Sequence, residues 1–349
     1  MATLRGKKTR GFFDYEFRQA ELKKRSNPLE KLDKVIDWEI FRSLVEEVFA
    51  MKSKGTGGAP AYDRLMMFKI LVLQRYYNLS DEQTEFQIKD RISFQTFLGL
   101  SISDDVPDQN TIWEFRERLT EAGVMELLFN RFEALLDEKG IMGKEGSLVD
   151  ASFVEVPRQR NSREENKLIK EGKVPEEWES NPNKLSQKDT DAKWTKKNNE
   201  THYGYKNHVK ADRKTKLVCG YKVTDASVHD SQTFEDLLEK DDQELYADSA
   251  YRSAEIEELL DSKKIKSQIN EKGYRNNPLT EKQKDSNREK SRVRARVEHI
   301  FAFIENTMNG SYLRYIGLKR TEAAVGMMNL VYNLFRYEQI KRLKLVEVA

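Results

Sequence analysis

The chain has 349 residues, a formal net charge of +2, 38% hydrophobic residues and 34% charged ones. Such a length holds two domains or three with at least one sizeable core, and no apolar run approaches the roughly 20 residues that a membrane-crossing helix needs. A single cysteine, Cys219, excludes an internal disulfide framework and a cysteine-based zinc site; with an N-terminus, MATLRGKKTR, that lacks the apolar core of a secretory signal, the expectation is a reducing, cytoplasmic setting.

In chain order, LEKLDKVIDWEIFRSLVEEVFAM (29–51) is amphipathic, and KSKGTGGAP (52–60) is a Gly/Lys/Pro break that reads as a loop. AYDRLMMFKILVLQRYYNLS carries apolar residues at helical spacing. Ser80 then opens SDEQ, a capping box in which Ser80 and Gln83 satisfy each other's orphan amides at a helix start. DRISFQTFLGL, the turn VPDQN and TIWEFRERLTEAGVMELLFNRFEALLDEKG complete a helical region to about residue 140, where Gly140 suits a C-cap. At residue 146 the pattern changes. GSLVDASFVEVP is rich in strand formers and ends at proline. Residues 158–200 mix basic and acidic side chains with almost no apolar periodicity, and predict a long surface insertion that includes Trp178 and Trp194. YGYKNHVKAD and KLVCGYKVTDAS predict two strands joined by DRKT, SQTFEDLLEK a helix, LYADSAY a short strand, SAEIEELLDSKK a helix and IKSQINEK a strand. RVEHIFAFIENTMNG and TEAAVGMMNLVYNLFRYEQIKRLKL predict two closing helices. An early antiparallel meander followed by βαβα units points to an α/β fold with a mixed, helix-covered sheet.

Charge is distributed unevenly. Residues 1–27 carry eight Lys/Arg against three Asp/Glu, and residues 282–296 carry seven against two. Local cationic surface of this kind attracts phosphate whatever the net charge. Three acids occupy unusual places. Asp150 interrupts the apolar strand LVDASFV, where an unpaired carboxylate is expensive to bury. Asp248 ends the strand LYAD, where α/β folds build their sites. Glu298 lies on a late helix beside Val297, Ile300, Phe301 and Ile304. Two aspartates on different strands and a glutamate on a later helix are hard oxygen ligands suited to Mg²⁺ or Mn²⁺. Asp225 and Asp230 have sufficient explanations at a strand end and a helix N-cap. His202, His208, His229 and His299 show no HxH or HExxH spacing, and there is no Walker loop, GxGxxG or nucleophile elbow.

The ordered set LVDAS, HDSQ, ADSAY and RARVEHIF resembles the DDE transposases of bacterial insertion sequences, in particular the insertion-sequence-five type. The likeness continues in VPDQNTIWEFRERL, YGYKNHVKADRKTKLV and YIGLKRTEAAVGMMNLVYNL, over roughly residues 60–340. The resemblance implies an RNase H-like mixed-sheet catalytic core (143–340, with a hydrophilic insertion at 154–201), behind a basic arm and helix (1–57) and a helical DNA-binding and dimerisation domain (58–142). It implies that Asp150, Asp248 and Glu298 are the catalytic and metal-binding triad, with Mg²⁺ as cofactor and Mn²⁺ as a substitute. Tyr251 and Arg252 fall in the turn after the second acid. Arg294 matches the arginine of the family's Tyr–Arg–Glu–Lys signature, on one helical face with Glu298. Arg292, Arg296, Lys319, Arg320 and Arg116 are further expected DNA contacts, together with the basic segment Arg5–Arg25. The implied partners are the element's terminal inverted repeats, target DNA and a second copy of the chain, at the bacterial nucleoid. Two positions depart from the signature: its tyrosine is Ser291 here, and its lysine is Glu305, for which Arg314, Lys319 and Arg320 are the neighbouring substitutes.

Overall fold

Apolar residues spaced three and four apart organise the described residues before 140 into helices, as the pattern predicts. The computed structural model describes residues 11–25, 27–50, 60–197, 199–239, 242–275 and 277–346. Residues 1–10 of the basic arm and most of the KSKGTGGAP break therefore lie outside the described residues. The helices are α1 (Asp14–Lys23), α2 (Pro28–Val35), α3 (Arg42–Ala50), α4 (Arg64–Tyr77), α5 (Asp81–Asp90), α6 (Ile92–Leu98), α7 (Gln109–Glu121) and α8 (Val124–Glu138). Both bonds of the Ser80/Gln83 capping box are present at the start of α5. The run from Thr111 to Gly140 is two helices: Gly123, at φ +67°, takes the left-handed conformation that an L side chain resists and divides α7 from α8. Gly140 is left-handed too and ends α8.

The remaining elements are β1 (Ser147–Glu155), the short helices α9 (Arg163–Lys170), α10 (Glu176–Glu179) and α11 (Pro182–Leu185), then β2 (Lys193–Lys197), β3 (Glu200–Asp212), β4 (Val218–Asp225), β5 (Glu244–Tyr246), α12 (Ala254–Ser262), β6 (Lys266–Ser267), α13 (Glu281–Arg294), α14 (Glu298–Ala302) and α15 (Leu318–Leu343). Together the strands form one mixed sheet. β1 is antiparallel to β3 and parallel to β5, and β5 is parallel to β6. The far edge of β3 is shared: β2 pairs with its first residues and β4 with the rest. SQTFEDLLEK departs from the predicted helix and forms two 3₁₀ turns, Asp230–Thr233 and Glu235–Leu237. Asp230 is pulled onto the Lys206 ammonium at 2.8 Å, and that anchor overrides helical propensity.

Alternation along β1 assigns its faces. Leu148 and Val154 join the large core built with the helices, while Val149 joins a smaller cluster with Leu245, Ala247, Phe234 and Ile256. The large core is continuous from α2 through α4 and α8 to α15. α15 is buried along most of its length, and its polar residues have tasks. Asn329 and Asn207 exchange amide bonds of 3.0 and 3.2 Å in full burial. Asn333 Oδ1 accepts from Val218 N (2.9 Å) while its Nδ2 donates to Val218 O (2.7 Å), so one side chain stands in for a neighbouring strand at the edge of β4. Gly326 permits close approach: a Cβ there would lie 2.4 Å from Tyr221 Oη.

The hydrophilic segment between β1 and β3 is folded and includes β2, a strand that its polar sequence did not announce. Buried Asp189 accepts from Tyr205 Oη (2.8 Å), Ala192 N and Gly317 N, and Asp191 accepts from Leu318 N (2.8 Å) at the start of α15. Trp178 is fully buried with its indole N–H on Glu165. Trp194 is partly exposed against Tyr203 with Arg158 over its ring.

Replacing Asn333 by leucine leaves the Val218 N–H and C=O without partners in a dry site. The expected loss is about 1–3 kcal/mol in denaturant unfolding; a change within about 0.5 kcal/mol would show that the edge of β4 does not need this clamp.

Candidate active site

The register of β1 and β5 places two carboxylates side by side. Leu148 pairs with Tyr246 in the parallel ladder, so two residues further along each strand Asp150 and Asp248 project from the same face. Neighbouring strands lie roughly 4.8 Å apart. Asp150 is half-buried, and its backbone opposes Val209 of β3. Asp248, just past β5, is extended and accepts from Ala250 N at 2.7 Å, fixing the turn of Ser249–Tyr251. Burial pushes the Asp150 carboxyl pKa up, and the nearby Asp248 charge adds to this, opposed by the Ala151 amide and Arg294.

Arg294 Nη1 meets Asp150 Oδ2 at 2.7 Å, with both side chains largely covered. Sequence reading expected this guanidinium to share a face with Glu298. The helix does not continue between them. Arg296 N, Val297 N, His299 N and Ile300 N all bond to the carbonyl three residues back. Tightening to about three residues per turn swings residue 298 off the face of residue 294. Glu298 consequently starts α14 with its carboxylate exposed, while Val297, Ile300 and Ile304 anchor that helix in the core. Among the described residues no three acid, imidazole or thiol groups converge on a point where a metal ion could sit. The structure brings together Asp150 and Asp248, with Arg294 between helix and sheet; it does not bring Glu298 to them.

Two carboxylates crowd one face, of the oxygen-donor type that hard cations take, and in this structure the positive charge beside them is that of Arg294. Helix α13, which carries Arg294, buries no residue of its own. It is held by polar bonds to the segment after β6: Lys290 Nζ to Ile269 O, Asn270 Nδ2 to Ser291 Oγ (2.9 Å), and a two-way bond between Asn287 and the Glu271 backbone. Ser291, at the signature's tyrosine position, thus has a docking role.

The other predicted residues divide. Arg292 is exposed, and Arg296 is exposed with Nη1 on Arg213 O. Lys319 and Arg320 are exposed on α15, bonded to Glu121 O and to Glu117. Arg252 is held by Ile269 O (3.2 Å) and Glu257. Two expectations need correction. Tyr251 is 1% exposed against Phe234, so it offers no surface to DNA; its hydroxyl has no partner, and burial, with Asp230, Asp150 and Asp248 nearby, pushes its pKa well up. Arg116 does not face open solvent either: its side chain is 14% exposed and forked onto Asp81. Asp225 has the structural role expected at a strand end, bonded to Ser227 and Lys193; Asp230 is structural too but is not the expected N-cap, which is His229, and it pairs instead with Lys206. Glu305 is exposed on a π turn, Phe303–Thr307, whose wider winding carries it away from the Glu298 face. Sequence reading missed the Arg294–Asp150 pair, and no spacing rule links positions so far apart in the chain.

Residues 141–334 match the family described as Transposase DDE domain, and residues 17–118 match Transposase domain (DUF772). The fold is also similar to a chain in the cryo-EM structure of the piggyBac transposase synaptic complex with hairpin DNA. That alignment covers 93% of this chain and 77% of the other, at 13% identity and a TM-score of 0.44. Among the described residues no helix is long and apolar enough to cross a membrane.

If the Arg294–Asp150 pair is what fastens α13 to the sheet, the substitutions Arg294→Met and Asp150→Asn should be coupled by about 1–3 kcal/mol in a double-mutant cycle of unfolding in chelator. Strict additivity would dismiss the pair as a fastening.

Proposed function

Because the chain belongs to the Transposase DDE domain family, we propose that it is the transposase of a bacterial insertion sequence, of the insertion-sequence-five type, cutting the element's ends and joining them to target DNA. The observation that carries this reading is the placement of Asp150 on β1 and Asp248 just past the end of the adjoining parallel strand β5, both within the matched stretch. An antiparallel meander continued by two parallel strands supports an RNase H-like core. The exposed Arg292 and Arg296, on the cationic run that also carries Arg294, support DNA as the partner. A homodimer is the arrangement that pairs two ends.

The proposed cofactor is Mg²⁺, or Mn²⁺ in its place, held by Asp150 and Asp248 and completed by Glu298. When bound it would supply Lewis-acid activation of an attacking oxygen and neutralise charge on the phosphate. The chain's own part is positioning. The short β1–β5 ladder sets the two aspartates beside each other, and the bond from Ala250 N fixes the Asp248 carboxylate. Release of Arg294 from Asp150 frees both a ligand and a cation, the guanidinium then being available to a phosphate oxygen. Because Glu298 does not meet the pair in this structure, its joining them would require the turn at 295–297 to rearrange. The exposed Glu298 and the occupied Asp150 also favour a second reading, a transposase-derived protein that binds element ends without chemistry.

Metal-dependent strand transfer of end-bearing DNA should fall by about 10²-fold or more in Asp150→Ala, Asp248→Ala and Glu298→Ala alike. Wild-type binding without cutting would favour the second reading, and cutting without joining would make the chain a nuclease of the same fold. Full activity in any one variant removes that residue from the triad.

A further inference from the structure

A cavity of about 400 Å³ lies where α4, α5 and α7 meet the segment before α15, within the size range of ligand sites. Its charge is unbalanced. The acids that line it are Asp81, forked onto Arg116, and Glu117, paired with Arg320 at 2.8 Å. Two further lining cations, Arg75 and Arg314, have no lining acid left to meet them. Arg314 is exposed and sits at the mouth.

Arg75 is the exceptional one. It is 6% exposed, in the last turn of α4, and its Nη2 donates to Asn78 Oδ1 at 2.6 Å. Its Nε has no partner, nor has the Nε of Arg116 across the cavity. Burial lowers the Arg75 pKa; Tyr315 eases this and Arg116 opposes it. A buried guanidinium without a carboxylate is costly to the free fold, and a planar fork of donors in the lining of a cavity matches the oxygens of a phosphate. Aromatic surface is present beside it: Tyr315 lies under Arg116, with the guanidinium 5.5 Å from the ring, and Trp113 lines the wall while 49% exposed. Bases of any identity stack on such rings.

We infer that this cavity is a nucleotide-phosphate site, Arg75 and Arg314 engaging the phosphate and Trp113 the base. The phosphate belongs either to a nucleotide of a DNA strand or to a free nucleotide. The site is separate from the carboxylate pair and does not require cleavage.

The test uses the full chain in chelator, so that its failure leaves the cleavage reading untouched, and loss of cleavage leaves this one untouched. Titration calorimetry with dAMP should show one site, with deoxyadenosine, which lacks the phosphate, binding about ten- to a hundredfold more weakly. Arg75→Met should weaken dAMP binding by a similar factor while raising the Tm of the free chain, which a merely structural arginine would lower. Trp113→Ala, at the exposed wall, should weaken dAMP and leave inorganic phosphate unchanged, and it decides the matter should Arg75→Met fold poorly. A single-stranded DNA oligonucleotide without terminal phosphate that displaces dAMP assigns the source to a DNA strand; failure to displace it assigns a free nucleotide. Absence of dAMP binding to the wild type, or undiminished binding in both variants, overturns the site.

Discussion

Two carboxylates on adjoining parallel strands cannot both be charged, partly buried and unneutralised. In this chain the register of a short ladder forces Asp150 and Asp248 into that relation, and the rest of the site answers to it. A cation must come, and Arg294 comes from a helix with no fully buried residue, whose apolar contact with the core is the partly buried Val293 beside it. α13 is therefore positioned by polar contacts, and α14, one turn later, by burial of Val297, Ile300 and Ile304. The tightened turn between them is where two kinds of attachment meet.

Long helices, capping residues and the sheet's early meander were legible from local pattern. The Ser80 box, Gly140 and the strands ending at Glu155, Asp212 and Asp225 rest on interactions among near neighbours, which spacing reports. The same rule that found Ser80 also fits Ser162 with Glu165 and Thr280 with Gln283, both of which form complete capping boxes. What stayed hidden depends on contacts remote in sequence. SQTFEDLLEK has a helical pattern, but the Lys206–Asp230 pair holds its start elsewhere. Nothing local marks Asn207 and Asn329 as partners, and an amide within an apolar helix reads as an ordinary exception. At the site, the identities of the acids were legible as carboxylates in improbable places; their mutual geometry was not, because the i→i+3 bonds at 296–300 respond to packing on both flanks.

The large core also bears on how the helical half and the sheet cooperate. α15 packs against helices from the first half and against β4 and β3, so neither half has a closed apolar surface without it. The Asn333 clamp and the Asn329–Asn207 exchange give that docking a single register, since a shifted helix would bury four unsatisfied amide groups. The cavity beside Arg75 lies on this same junction, between helices of the first half and the lead-in to α15.

The return leg of the insertion between β1 and β3 has one more consequence. Asp189 and Asp191 accept the amides of Gly317 and Leu318, so a distant segment caps a helix whose own first residues supply no side-chain cap. Different parts of the insertion are thus under different constraints as sequences drift. The excursion through α9, α10 and α11 is free to lengthen, shorten or change composition, since its contacts are mostly its own. The aspartates of its descent are not, because their loss would fray the helix that joins the two halves of the molecule. Variation in related chains should accordingly gather at the tip of the excursion and stop short of residue 189.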